Sequence, residues 1–404
     1  MRKLAMVLAI ILFASVTNGQ FIQLNSGETD NLTVITHNGG TQFIGGFNKI
    51  LKSTDTGLTW QTVLLLNCGE IKHIVFSGNN GLASTVDRLF NSLDGGNSWN
   101  LVNLPDSISS INDISFRNNF EAYVLATKPG GSGCGGRVFR SFTQGAQWTK
   151  VESFEYNNSE PTAMCWKNDT AFTVLRFFNG TDYFNYMAEM GTDFSIQNTQ
   201  TIFTGLFYAT KLAVSDNRFI IYGYNSFGKS LLIQKVFSDY TSYEAILFSQ
   251  NSIYFQNMNL TNNQAILCGM NGLMEKVSTI GDLSVNSSAS IPTGTNAPLF
   301  SVDIFQNFIY AVGYNGTLIT NNPNLTNGIL ENISGTNAIS CQNPFENELN
   351  IRSQTNGLIK IFDMSGKLVA SKIKNSEEVT METDNLPKGG YMLTLGTLTK
   401  TIIK

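Results

Sequence analysis

The sequence predicts an all-β protein, a seven-bladed β-propeller followed by a small β-sandwich. Three observations support this fold class: a composition typical of strands and tight turns, a repeating unit of about 40 to 50 residues, and a non-repeating set of alternating strands at the end. Of the 404 residues, 42% are hydrophobic and only 14% are charged, and 36 are glycine. Aromatic and β-branched residues favour strands, while Gly, Asn and Asp favour the turns between them.

The N-terminus has the pattern of a secretory signal peptide. Arg2 and Lys3 form a short basic region, the apolar stretch 4–16 follows, and small or polar residues suited to cleavage lead to Gly19. The apolar stretch is too short and too lightly flanked for a stable membrane span. We therefore expect residues 1–19 to be removed on export and the mature protein to contain no transmembrane span.

Charge and cysteine content narrow the possible functions. The net charge is −4 and basic residues do not cluster, so no nucleic-acid partner is predicted. The five cysteines are scattered without metal-ligand spacing. We expect Cys68, Cys165 and Cys268 to be buried as small hydrophobic residues. A disulfide between Cys134 and Cys165 is an alternative that the sequence does not decide.

An eight-residue pattern, Ser-x-Asp-x-Gly-x-(Thr/Ser)-Trp, marks the repeating unit. It occurs at 53–60 (STDTGLTW) and at 92–99 (SLDGGNSW), and a degenerate copy at 141–148 (SFTQGAQW) has Thr143 in place of the acid. We refer to these as the first, second and third octets. A polar turn and an alternating apolar strand precede each of them, so the octets belong to a longer repeat.

The longer repeat continues after the octet pattern has faded. Four further units begin near Trp166, Ser215, Thr261 and Phe305, and the seven units recur at intervals of 39 to 49 residues. Each contains three or four short strand-like segments, which must stack radially on their neighbours to cover both faces. The sequence thus predicts a seven-bladed propeller over residues 20–340, whose last blade residues 21–24 would complete beside residues 328–333.

The octets predict turns rather than reactive groups. An aspartate in a tight turn accepts backbone N–H bonds, and the glycine supplies backbone angles that other residues avoid. The tryptophan that follows would enter the next strand and pack between blades. We expect a structural role for the octet residues Ser53, Asp55, Gly57, Thr59, Trp60, Ser92, Asp94, Gly96, Ser98, Trp99, Ser141, Gly145 and Trp148.

These octets resemble the Asp-box, or BNR repeat, of sialidases, sortilin-type receptors, some xyloglucan-cleaving enzymes and photosystem II assembly factors. Two copies match well and the third is degenerate. The resemblance implies propeller architecture and gives no information about chemistry, because in that family the boxes lie on the face away from the active site.

Enzymatic readings find little support in the residue pattern. A sialidase needs an arginine cluster and a Phe/Tyr-Arg-Ile-Pro start, and its six blades disagree with seven units. A glycosidase needs two facing carboxylates, which a sequence alone does not place. His37 and His73 lack further metal ligands at suitable positions. We predict no catalytic residue, no metal and no cofactor, with a glycoside hydrolase or lyase as the alternative.

Binding is therefore the expected function, with a glycan or protein as the partner and a structural or adhesive surface module as a second alternative. Loops between second and third strands would lie on the face opposite the octets. Three of them, at 128–137, 177–183 and 224–229, combine glycines with aromatic and charged residues. The predicted ligand-binding residues in these loops are Arg137, Tyr183, Phe227 and Lys229.

The last 64 residues, 341–404, form a separate domain with strand patterns and turns but no repeat. They look like the type A C-terminal sorting domain of the type IX secretion system of Bacteroidota. The resemblance implies secretion or attachment to the outer-membrane surface, with the type IX machinery as a partner. The matching sorting-signal residues are Asn343, Pro344, Asp363, Gly366, Lys367, Gly389, Tyr391, Lys400 and Lys404.

Overall fold

The structure is a computed structural model. It describes residues 21–404 apart from 131–134, 152–158, 180, 182, 192–194, 205–206, 216–217, 226–229, 237–243, 248–254, 262–263, 279–287, 326–338, 342–344, 354, 364–365 and 397. The predicted signal peptide, 1–19, lies outside the described residues. The chain divides into two compact units, Met1–Asn321 and Asn322–Lys404.

The described part of the first unit forms seven antiparallel sheets, numbered here in chain order. Sheets 1 to 3 contain β2 (Leu32–Asn38), β3 (Thr41–Ser53), β4 (Gln61–Glu70); β5 (His73–Ser77), β6 (Asn80–Ser84), β7 (Leu89–Ser92), β8 (Asn100–Val102); and β9 (Ser110–Phe116), β10 (Ala122–Thr127), β11 (Gly136–Ser141), β12 (Thr149–Lys150). The first half of β3 pairs with β2 and its second half with β4.

Sheets 4 to 7 continue the same order. They contain β13 (Ser159–Lys167), β14 (Thr170–Phe178), β15 (Tyr183–Met190), β16 (Ile196–Thr204); β17 (Phe207–Ser215), β18 (Arg218–Asn225), β19 (Ser230–Val236), β20 (Glu244–Leu247); β21 (Phe255–Thr261), β22 (Gln264–Gly269), β23 (Met274–Ser278), β24 (Ser288–Ser290); and β25 (Leu299–Phe305), β26 (Phe308–Gly313), β27 (Leu318–Thr320). Short 3₁₀ turns occur at Met270–Gly272, Tyr314–Gly316 and Pro323–Leu325.

The first strands of the sheets contact one another in series. The strand β2 contacts β5, the contacts continue through β9, β13, β17 and β21 to β25, and β25 contacts β2. Apolar side chains fill the spaces between adjacent sheets; Phe43 of sheet 1, for example, packs in one cluster with Phe90 and Trp99 at sheet 2. The core of this unit is therefore divided among the gaps between neighbouring sheets.

The N-terminal strand β1 (Ile22–Gln23) joins sheet 7, which is the last sheet in chain order. Ile22 pairs with Thr320 and Gln23 with Ile319, in antiparallel register. The sequence placed residues 21–24 beside residues 328–333, and this expectation was wrong in its partner: the neighbouring strand is β27. Residues 328–333 lie outside the described residues.

A β-bulge recurs at the same place in the first strand of six of these sheets. One residue there has no partner on the second strand, and the bulged residues are Thr33, Asn112, Thr162, Thr210, Gln256 and Phe300. The hydroxyls of Thr33, Thr162 and Thr210 donate to second-strand carbonyl oxygens at 3.1, 3.3 and 3.4 Å. Such a bulge bends the strand and increases its local twist.

The second unit is made of two sheets over one apolar core. The first sheet contains β28 (Ser340–Cys341), β29 (Glu348–Arg352) and β32 (Glu378–Glu382), and the second contains β30 (Gly357–Asp363), β31 (Leu368–Lys374), β33 (Gly390–Leu395) and β34 (Leu398–Ile403). Alternating residues of both sheets, such as Leu349, Ile361 and Leu393, are fully buried between them. This is a small β-sandwich.

Candidate functional site

The first octet forms a tight turn between the end of β3 and the start of β4. The Asp55 carboxylate accepts bonds from the Ser53 hydroxyl at 2.8 Å, the Thr59 amide at 2.9 Å and the Thr59 hydroxyl at 2.6 Å. The Gly57 amide donates to Ser53 Oγ, and the Trp60 indole donates to the Gly57 carbonyl. Gly57 has φ = +95°, a value that favours glycine.

The second octet repeats the bonds to the carboxylate and to the serine, but the buried Trp99 indole nitrogen has no partner among the described residues, and the third octet keeps a reduced form of the network. Asp94 accepts bonds from the Ser92 hydroxyl and from the amide and hydroxyl of Ser98. In the third octet, the Thr143 hydroxyl stands where the carboxylate would be and accepts the amide of Gln147 at 2.8 Å. A single hydroxyl replaces two carboxylate oxygens, so fewer bonds hold this turn.

The octets also pack against the sheet that precedes their own. A Cβ on Gly96 would lie 2.4 Å from the ring of Phe43 in sheet 1, and one on Gly145 would lie 2.7 Å from Leu82 in sheet 2. These glycines therefore provide close approach between sheets as well as the turn conformation. The Ser and Asp side chains of the first two octets are engaged in the turn bonds, whereas Leu58, Leu93 and Phe142 within the octets are exposed.

A pocket of about 490 Å³ opens at the other end of the sheets. Its walls come from the starts of first strands and the ends of second strands in sheets 3 to 5, with His73 added from sheet 2. The second and third octets, in contrast, follow the ends of the third strands β7 and β11, and Lys52, next to the first octet, bonds Asn97 of the second. Since strands alternate in direction, pocket and octets lie at opposite ends, here named the pocket end and the octet end.

Two tyrosines and an ion pair give this pocket its character. Tyr208 and Tyr224 stack with ring centroids 5.1 Å apart and planes 19° from parallel, and Tyr224 is 40% exposed. The Arg176 guanidinium lies 4.7 Å from the centre of the Tyr208 ring and pairs with Glu160. Arg176 and Tyr224 thus both contact the Tyr208 ring, and Tyr224 is the more exposed of the two tyrosines.

The rest of the lining is polar and largely neutral. Hydroxyl and amide groups come from Ser109, Ser110, Asn112, Thr127, Thr162 and Thr210. Burial lowers the pKa of His73 to about 4, and the positive charges of Lys211 and Lys72 act in the same direction. At neutral pH the imidazole is uncharged, and its Nδ1 lies 2.9 Å from the Ser84 hydroxyl. The pocket thus offers hydrogen bonds and an aromatic surface rather than a strong net charge.

The predicted ligand-binding residues are only partly placed by the structure. Arg137, at the start of β11, forms an ion pair of 3.0 Å with Asp106 and also donates to the Ser107 carbonyl. Tyr183 is the first residue of β15. Phe227 and Lys229 lie outside the described residues. Tyr224, at the edge of the predicted loop 224–229, does line the pocket.

Sequence reasoning missed Tyr208 and the pair formed by Arg176 and Glu160. Glu160 and Tyr208 lie near the starts of two first strands, and Arg176 lies near the end of a second strand. These positions fall at one end of adjacent sheets only because the repeat is regular. An alignment of the units on their bulges would have identified them, since the bulged Thr162 and Thr210 come two residues after Glu160 and Tyr208.

A second cavity, of about 620 Å³, lies among the first strands, and all seven sheets contribute to its lining. The described lining includes the charged residues Lys72, Asp113, Lys211 and Asp303. Asp113 accepts the amides of Met164 and Ile114, and burial raises its pKa to about 6 against the effect of these bonds.

The structure describes the side chains of two of the cysteines expected to be buried, and it allows a search for metal-binding groups among the described residues. Cys165 and Cys268 form no disulfide, and burial raises the pKa of both thiols, to about 12 for Cys268. Cys134 lies outside the described residues. No group of three or more His, Cys, Asp or Glu side chains in the described part of the chain is placed to hold a metal ion.

The sorting-signal residues lie at turns and at the chain end of the second unit. The Asp363 carboxylate accepts the Lys367 amide at 3.0 Å across a turn in which Gly366 has φ = +84°. Gly389 and Lys404 exchange two backbone bonds, of 3.1 and 2.9 Å. The remaining residues are the buried Tyr391, which donates to the Pro387 carbonyl, Lys400 in β34, and Asn343 and Pro344, which lie outside the described residues.

The ammonium of Lys404 fixes the end of the chain. It donates to the carbonyl oxygens of Thr383 at 2.5 Å, Leu386 at 2.7 Å and Asp384 at 3.2 Å. An ammonium has three donors, so this side chain is fully satisfied by the backbone of one loop. A C-terminal lysine therefore has a definite structural role in this sandwich.

Comparison with known protein families identifies the second unit. A model described as the secretion system C-terminal sorting domain matches residues 343–404, and this confirms the sorting domain expected from the sequence. The match covers the second unit only. No curated protein matches the chain.

Solved structures similar to the chain include β-propeller domains and the extracellular domain of a bacterial one-component system. The extracellular domain of BT4673, a proposed one-component system of B. thetaiotaomicron, is 13% identical with a TM-score of 0.54, and the match covers 93% of this chain and 56% of that one. The β-propeller domain of Myceliophteria thermophila Cps50 (Swd1) is 10% identical with a TM-score of 0.54, over 74% of this chain and 98% of that one.

A third match is the WD40 domain of Neurospora crassa Pan2, which is 7% identical with a TM-score of 0.53, over 72% of this chain and 88% of that one. Identities this low carry information about fold alone. The first unit is thus an all-β, propeller-like domain. Within the described residues, the search for a helix long and apolar enough to cross a membrane finds none.

Proposed function

We propose that this chain is a secreted or surface-attached binding protein, in which a seven-bladed propeller of the Asp-box type recognises a glycan or protein partner. Its sorting domain implies export by the type IX secretion system to the cell surface or the medium. The proposed domains are a signal peptide at 1–19, the propeller at 20–340 and the sorting domain at 341–404. The series of contacts from β2 to β25 and back to β2 supports the seven-bladed arrangement.

The observation that carries the binding function is the exposed tyrosine stack in the 490 Å³ pocket. A partly exposed aromatic ring backed by a second ring and a guanidinium is a rigid apolar surface, and hydroxyl and amide groups surround it. Ligand pockets of this size typically combine aromatic surface with a few directional polar groups. The octets supply the turns at the octet end and take no part in recognition.

A glycosidase requires two carboxyl groups on either side of the bond that is cleaved. Glu160 is the one carboxylate among the described residues that line the pocket, and it is paired with Arg176. We therefore place binding before hydrolysis.

The binding function is tested by a glycan-array and partner-capture screen of the mature chain, followed by affinity measurements on Tyr224→Ala. Loss of a central aromatic contact should weaken the ligand by about 1–2 kcal/mol, roughly five- to thirtyfold. Phe120→Ala is the matched control, because Phe120 is an aromatic residue 64% exposed at the octet end. Equal affinity of both variants and the unmodified chain would refute the assignment of the pocket.

A further inference from the structure

The larger cavity contains two carboxylates whose oxygens are already used. Asp303 accepts the Asn259 amide at 3.0 Å on one oxygen and the His37 ring nitrogen at 2.7 Å on the other. The two oxygens of Asp113 accept backbone amides, one of its own sheet and one of sheet 4. Both side chains therefore connect neighbouring sheets, and neither forms an ion pair with a lysine in the described part of the cavity.

Lys211, in contrast, has unused hydrogen-bonding capacity. Its ammonium makes one long contact, 3.5 Å, with the Asn257 side-chain oxygen, and the described residues supply no carboxylate within ion-pair distance. An ammonium has three donors, so at least two of them form no hydrogen bond with the described residues, and the side chain is solvent-exposed. Desolvation holds the pKa of Lys211 below its ordinary value, although the negative charges of Asp113 and Asp303 act in the opposite direction.

The shape and polarity of the cavity limit what can fill it. Its volume of about 620 Å³ is large enough for a small organic molecule, and hydroxyl groups of Thr33, Thr36, Ser110, Thr210 and Ser301 are among its lining. The nearby Asp113 and Asp303 would repel a ligand with two negative charges. A single carboxylate can accept bonds from the ammonium while its net charge is balanced by it.

We propose that this larger cavity binds a hydroxyl-rich monocarboxylic acid, such as a hexuronic acid, with its carboxylate held by Lys211. The hydroxyl groups of the ligand would replace water against the threonine and serine side chains of the first strands. This cavity adjoins the tyrosine pocket, since His73, Ser110 and Thr210 line both, but Lys211 lines the cavity alone and Tyr224 the pocket alone. The inference does not depend on the proposed function.

Isothermal titration of the full mature chain tests the proposal with glucuronate and with glucuronamide, its uncharged isostere. Charge-assisted hydrogen bonds contribute about 1.5–3 kcal/mol, so glucuronate should bind at least about tenfold more tightly than glucuronamide. Saturable binding with this preference supports the site. Absence of glucuronate binding, or equal binding of the two compounds, overturns it.

Variants assign the carboxylate to Lys211. Lys211→Met should remove the preference for glucuronate, whereas Lys52→Met, which removes a lysine paired with Asn97 at the octet end, should leave it unchanged. Tyr224→Ala should also leave glucuronate affinity unchanged, which separates this site from the tyrosine pocket. If Lys211→Met still binds glucuronate more tightly than glucuronamide, the assignment of the carboxylate to Lys211 is overturned. Should that variant fail to fold, the comparison of the two ligands on the unmodified chain still decides.

Discussion

Replacing Asp55 by alanine tests whether the first octet is a structural turn. The carboxylate accepts three hydrogen bonds, two from Thr59 and one from Ser53, and all three are lost in Asp55→Ala. Comparable losses of a side chain that caps backbone amides cost about 1 kcal/mol, and hydrogen bonds to a charged group cost more. The turn is exposed and water replaces part of the network, so we expect a loss of about 1–2 kcal/mol.

The pH dependence of this loss has a definite sign. Burial would raise the pKa of Asp55, but hydrogen bonds from Thr59 and Ser53 outweigh it and hold the pKa below its ordinary value. A carboxyl with a lowered folded-state pKa stabilises the protein above its unfolded-state pKa, and this contribution disappears as pH falls through the folded-state value. Asp55→Ala and the unmodified chain should therefore converge in stability in acid.

Denaturant unfolding followed by tryptophan fluorescence is the suitable assay. All four tryptophans lie before residue 322, so the signal reports the first unit alone. Asp30→Ala is the control, because the Asp30 carboxylate is 61% exposed and has only a long ion pair with Lys49. The structural role would be refuted if Asp55→Ala and Asp30→Ala had the same free energy of unfolding. It would also be refuted if Asp55→Ala lost ligand binding while its stability was unchanged.

Three further predictions follow from other parts of the chain. Deleting residues 343–404 should leave the protein in the periplasm, and surface display or release of the truncated chain, measured by cell fractionation, would contradict the sorting role. The hydrogen bond with Asp303 raises the pKa of His37. This pair should therefore stabilise the fold below pH 6.5, and its contribution should disappear as pH rises through the raised pKa of His37. Asp303→Asn should flatten this pH dependence when the free energy of unfolding is measured from pH 5 to 9. Gly96→Ala should cost about 1–3 kcal/mol more than Gly95→Ala, because both glycines have positive φ but only Gly96 faces a ring at 2.4 Å; equal losses would remove the packing argument.

Local sequence rules identified the sorting domain, and the strand repeats predicted a propeller-like first unit. Each such feature is encoded in adjacent residues: an apolar alternation predicts a strand, and Asp with Gly predicts a turn. The predicted pairing partner of residues 21–24 was wrong for a physical reason. A two-residue strand has almost no pattern of its own, so any apolar segment near residue 320 is an equally good partner on sequence grounds.

The pocket and the cavity lay beyond sequence reasoning because their walls come from distant segments. Glu160 and Tyr208 are 48 residues apart, and His37 and Asp303 are separated by 266 residues. No local pattern indicates that such residues meet. Their positions within the unit do carry a signal, but it becomes visible only when the bulged residues define the register between units.

Hydrogen bonds between neighbouring sheets explain why polar residues in the first strands are compatible with a stable propeller-like unit. Side chains of one sheet bond backbone amides of the next: Asp113 bonds Met164 at 2.8 Å, and Ser301 of sheet 7 bonds Ile35 of sheet 1 at 3.2 Å. A buried polar group that is satisfied in this way carries little penalty, whereas an unsatisfied one is costly. The same reasoning distinguishes Lys211 from the other charged residues of the described cavity. Its ammonium makes a single long contact, 3.5 Å, with Asn257 of the neighbouring sheet, so it adds little to the bonding between sheets and remains available to a ligand.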